Sequence, residues 1–209
     1  MDLITISSSS TNFTKQALIS ALVKFIPKPL SQDPAPDRNP VFIIVGLNSV
    51  SNTPDSDILS AFTYQDLSLR TLSRLRQAKC YATPSILSFR AAVISGRIQP
   101  TDTDLVIVNL IGAHVSSDDP EIACCKALFD TLCYLTNFLV LDPETSSNDQ
   151  QPVRRKIVLL EREEVCRSDT TLPTTAGNLD QNVQEQSITT KTMSVPDLIR
   201  IFVSRQTTE

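Results

Sequence analysis

Apolar residues gather along this chain in two kinds of pattern. Short, nearly unbroken runs with many branched side chains occupy residues 3–6, 41–45, 105–111 and 156–160, and a weaker run covers 79–82. Runs of that length suit strands buried on both faces of a sheet. Between them lie stretches with apolar groups at helical spacing. Residues 14–26 carry Ala17, Leu18, Ala21, Leu22, Phe25 and Ile26, residues 64–78 carry Leu67, Leu69, Leu72 and Leu75, and two further stretches cover 86–94 and roughly 120–138. Pro27 and Pro29 stop the first helix. Pro84, with Thr83 as its cap, opens the third.

Strand and helix thus alternate, which predicts an α/β fold with a mainly parallel sheet and helices on both faces. Two polar interruptions stand out: the Pro-rich linker at 27–40, PKPLSQDPAPDRNP, and residues 166–192, rich in Thr, Gln, Asn, Ser and Asp. The second reads as a polar mobile loop. Glu161, Arg162, Glu163 and Glu164 just before it read as a mixed-charge surface turn. Residues 195–203, opening on SVPD, are apolar again and read as a capped helix or a last strand.

With 209 residues, 41% of them hydrophobic, the chain suits a single domain over 1–209 with a sizeable core. A net charge of −4 argues against a strongly basic, autonomous nucleic-acid binder, so any such contact falls to a local patch or a partner. The start, MDLITISSSS, lacks the basic residues and apolar length of a signal peptide. No window approaches about eighteen consecutive apolar residues. The expectation is a soluble, intracellular protein. Five cysteines without a C-x-x-C pair, and His114 as the single histidine, offer no zinc site. Cys125 and Cys133 share an amphipathic stretch with Ile122 and Phe129 and read as small buried groups in a reducing compartment.

Candidate chemistry is sparse. Residues 101–115 read TDTDLVIVNLIGAHV. In P-loop nucleotide hydrolases such a strand ends in an acid that helps hold magnesium. Here Asn109 is the polar residue inside the run, and no carboxylate follows until Asp118. The segment after the first strand, SSTNFTKQ at 9–16, aligns with G-x-x-x-x-G-K-[ST] only at Lys15. Ser9 and Thr14 replace the glycines that let backbone wrap around phosphate, and Gln16 replaces the magnesium-binding hydroxyl.

His114 has Ser116, Ser117, Asp118 and Asp119 nearby, but a triad needs convergence in space and the G-x-S-x-G elbow is missing. Asp118, Asp119 and Glu121 are expected to favour the positive end of the following helix. No cofactor, metal or catalytic residue is expected. Basic residues cluster at Arg70, Arg74, Arg76 and Lys79, at Arg90 and Arg97, and most densely at Arg154, Arg155 and Lys156. That last run is the candidate nucleic-acid contact; the plainer reading is a solvated strand edge that discourages aggregation.

The segments DLITI, PVFIIVGLNSV, LVIVNLIGAHV, EIACCKALFDTLCYL and SVPDLIRIFVSRQ, in that order, give the chain a RecA-like layout with a degenerate phosphate loop. In this it resembles the small recombinase paralogues of the fungal Shu complex. That resemblance implies a non-catalytic nuclear protein. It would pair with a second RecA-like subunit, reach forked or single-stranded DNA through the complex, and help load recombinase filaments in homologous recombination. DNA contact in that family involves a basic late loop. Here residues 166–192 hold only Arg167 and Lys191 against Asp169, Asp180 and Glu185. The chain is also similar to the RecA-like subunits of Elongator, which act on tRNA. An assembly chaperone and an active small ATPase are the remaining alternatives.

Overall fold

The computed structural model describes residues 1–6, 24, 41–46, 79–95, 97, 105–140, 156–175 and 191–208. The helices expected over 14–26 and 64–78 fall outside these residues, apart from Lys24, which is helical. So do the 9–16 segment with Lys15, and Arg70, Arg74, Arg76, Arg154 and Arg155.

Among the described residues, six strands form one sheet: β1 (Asp2–Ile6), β2 (Val41–Val45), β3 (Lys79–Thr83), β4 (Leu105–Val108), β5 (Ile157–Arg162) and, last in sequence, Arg205–Thr208. Two short strands, β6 (Thr171–Pro173) and β7 (Thr192–Ser194), precede that last one, which is therefore β8. The sheet order is β3-β2-β4-β5-β1-β8, and every pairing in it is parallel. Besides helical Lys24 and a 3-10 turn at Glu163–Cys166, the helices among the described residues are α1 (Ile86–Ile94), α2 (Leu110–Val115), α3 (Cys125–Val140) and α4 (Val195–Arg200).

In-register parallel strands place side chains of matched parity on one face. Tyr81, Ile43, Ile107, Leu159 and Leu3 line up across one face of the sheet. Onto that face pack Ile86, Phe89 and Val93 of α1, Leu110 and Ile111 of α2, Leu128, Leu132 and Leu135 of α3, and Leu198 and Ile199 of α4, in one continuous core. The other face carries Phe42, Ile44, Val106, Val108, Val158 and Leu160, and all are buried as well. A sheet covered on both sides explains why these strands read as unbroken apolar runs instead of alternating ones.

Several expected boundaries move. The run 105–111 is strand only to Val108, because Asn109 turns the chain into α2. Ser85, not Thr83, caps α1: its hydroxyl accepts from the Ser88 N–H at 3.1 Å, while Thr83 ends β3 and donates to the Ile44 carbonyl. Asp118, Asp119 and Glu121 do not sit in the first turn of α3. Asp119 instead closes a tight turn before it, accepting from the Glu121 N–H at 2.9 Å.

The polar stretch 166–192 is structured at both ends. β6 and β7 pair antiparallel, with Leu172 opposite Met193. Leu172 enters the core, and the Thr174 carbonyl accepts from the Lys126 N–H in the first turn of α3. Residues 195–203 hold α4, with Pro196 in its first turn, before β8 returns beside β1.

Candidate functional site

Open parallel sheets meet ligands beyond the carboxyl ends of their strands. Gly46, Thr83, Asn109 and Glu161 mark that edge here. β4 ends one step short of its neighbour: the Asn109 N–H still donates to the Leu160 carbonyl at 2.9 Å, but β5 runs on beside β1, with Glu161 opposite Thr5. Asn109 has φ 62°, the only positive φ at a non-glycine among the described residues. Asparagine tolerates that left-handed conformation better than most residues. Its carboxamide nitrogen donates to the Val45 carbonyl at 3.0 Å, tying the end of β4 to the end of β2.

The turn carries α2 across the position that β4 leaves open beside Glu161. The first N–H groups of a helix lack intrahelical partners. Here the Ile111 N–H donates to Glu161 Oε1 at 2.8 Å and the Gly112 N–H to Oε2 at 3.1 Å. Glu161 is 0% exposed. It therefore contradicts the mixed-charge surface turn expected of it; only Arg162 and Glu164 are exposed. Burial pushes its carboxyl up to about 7, against the pull of the N–H donors at Ile111, Gly112 and Leu110 and the charge of Arg162. A carboxyl near 7 suits proton transfer, but both oxygens are held by backbone and none reaches solvent. The arrangement is an anchor for α2.

Gly112 completes the fit. A Cβ there would collide with Asn109 Oδ1 and stand 3.6 Å from Glu161 Oε2. Beside this cluster the Gly46 N–H, at φ 75°, donates to the Thr83 carbonyl at 2.9 Å. Among the described residues, no buried side-chain nitrogen or oxygen lacks a partner. The described polar groups of this edge bond to one another.

Because Asp accepts the same backbone conformation, Asn109→Asp isolates the amide. The new carboxylate would face the Val45 carbonyl oxygen, acceptor against acceptor. Urea unfolding should show a loss of about 1–3 kcal/mol at neutral pH; an unchanged midpoint would mean the amide does not tie β4 to β2.

At the other end of α2, His114 is fully buried. Its Nδ1 lies 2.9 Å from the Ile122 carbonyl, which makes Nδ1 the protonated nitrogen, and Nε2 lies 3.2 Å from Thr131 Oγ1. Arg90 reaches the same hydroxyl oxygen with Nε and Nη2, at 3.2 and 2.6 Å, and donates from Nη2 to the Ala127 carbonyl at 2.7 Å. A chain of polar contacts thus joins α2, α3 and α1. Arg90 spends Nε and Nη2 on bonds within the fold. Burial lowers His114 to about 4, with the nearby Arg90 charge adding to the effect and the Ile122 contact opposing it.

The folded state then refuses a proton that the unfolded chain takes up near pH 6.5, so His114 withdraws stability as pH falls from 6.5 towards 4. The loss is about 3 kcal/mol in full. Unfolding titrations of the wild type and His114→Asn, which keeps a donor towards Ile122, should diverge over that window. Parallel curves would refute a neutral buried imidazole.

Two of the thiols, Cys125 and Cys166, are poor nucleophiles. Burial pushes Cys166 up to about 12, with Glu161 adding to it, and burial also raises Cys125. Thiols held protonated in this way are unreactive. Among the described residues, no group of acids, cysteines and histidine could hold a metal ion, and no helix is long and apolar enough to cross a membrane.

Of the candidate basic run, only Lys156 is described. It lies at the amino end of β5, on the edge of the sheet opposite Glu161, and its ammonium pairs with Asp2 at 2.9 Å. Sequence reasoning passed over Glu161, the residue that organises the carboxyl edge. The available signal was phase: Ile157, Leu159 and Glu161 share one face of a strand. No protein-family model and no curated protein matches the chain.

Proposed function

We propose that the chain is a non-catalytic, RecA-like subunit of a DNA-repair assembly that promotes recombinase filament formation in homologous recombination, paired with a second RecA-like subunit. The observation that carries this reading is the way the described groups at the carboxyl ends of β2, β4 and β5 are bonded to one another. Where a hydrolase would present an acid to magnesium, Asn109 is bonded to Val45, and Glu161, the one buried carboxyl among the described residues, is committed to α2. The strand order β3-β2-β4-β5-β1-β8 sets β1 between β5 and β8, which separates the sheet from the doubly wound 3-2-1-4-5-6 and 2-1-3-4-5 orders. DNA contact belongs to the assembled complex, with Arg154, Arg155 and Lys156 as this chain's contribution.

Affinity capture of the full chain from its native cells tests the proposal. Recovery of a second recombinase-like chain, in a complex whose DNA affinity falls with salt and falls further on Arg154→Glu with Arg155→Glu, is the expected result. Recovery in a tRNA-engaging ring would assign the chain to Elongator, and recovery with protein clients alone would make it a chaperone. ATP turnover by the pure chain, lost on Lys15→Ala, would overturn the non-catalytic reading.

A further inference from the structure

We draw no further inference here: the strongest candidate, the surface patch of exposed Phe129 on α3 against half-buried Phe202 after α4, with exposed Ile201 next to it in sequence, is an unpartnered face, and nothing in the structure shows what covers it.

Discussion

Glu161→Ala will destabilise the protein by about 3–5 kcal/mol at pH 5, measured by urea unfolding. The substitution strands the Ile111 and Gly112 N–H groups at a fully buried position and leaves a void between β5 and α2. Each buried donor left unpaired costs about 1–3 kcal/mol. Glu161→Gln should lie between wild type and alanine, since its carbonyl serves one N–H while its NH2 opposes the other.

The cost also depends on pH, with a definite sign. The folded-state value of Glu161 is raised from 4.5 to about 7. Its contribution is therefore full below pH 4.5 and lost as pH rises through 7. Above that point the wild type carries a buried charge worth about 3 kcal/mol of penalty, which neither variant has. Both substitutions should thus cost less at pH 8 than at pH 5. Equal cost at the two values would mean that the carboxyl is ionised throughout. His114 slopes the opposite way between pH 4.5 and 6.5, so the wild-type profile should be flatter there than that of either single variant.

Gly112→Ala will lower stability by about 2–4 kcal/mol even though helix propensity alone favours alanine by about 1 kcal/mol. The added methyl overlaps Asn109 Oδ1, and the carboxamide can yield only by giving up its bond to Val45. In an Asn109→Gly background the obstacle is gone and the left-handed turn costs nothing. There the second substitution should cost under about 1 kcal/mol, a coupling that a double-mutant cycle reads directly. Additive losses would show that something other than Asn109 excludes the methyl.

The strands were legible where branched residues run together, because burial on both faces demands it at β1, β2, β4 and β5. Their order was not, since nothing local at residues 2–6 says that the neighbours will be 157–162 and 205–208. The end of β4 was hidden because Leu110 and Ile111 stay apolar as they pass from strand into a buried helix; only Asn109 and Gly112 punctuate the change. β6 and β7 were missed because three-residue strands with one buried side chain, Leu172, carry no period and are defined only by pairing twenty residues apart. Glu161 was misjudged because acidic neighbours suggest solvent, whereas its partners are backbone groups fifty residues earlier.

The position of β1 has a consequence for biosynthesis. Both of its hydrogen-bonding edges are satisfied by segments made more than 150 residues later, β5 on one side and β8 on the other. A ribosome therefore emits this sticky strand long before either of its partner strands is made. Loop closure over such distances slows folding, and the waiting strand invites pairing with foreign chains. The nascent polypeptide should lean on chaperones until residues 205–208 emerge.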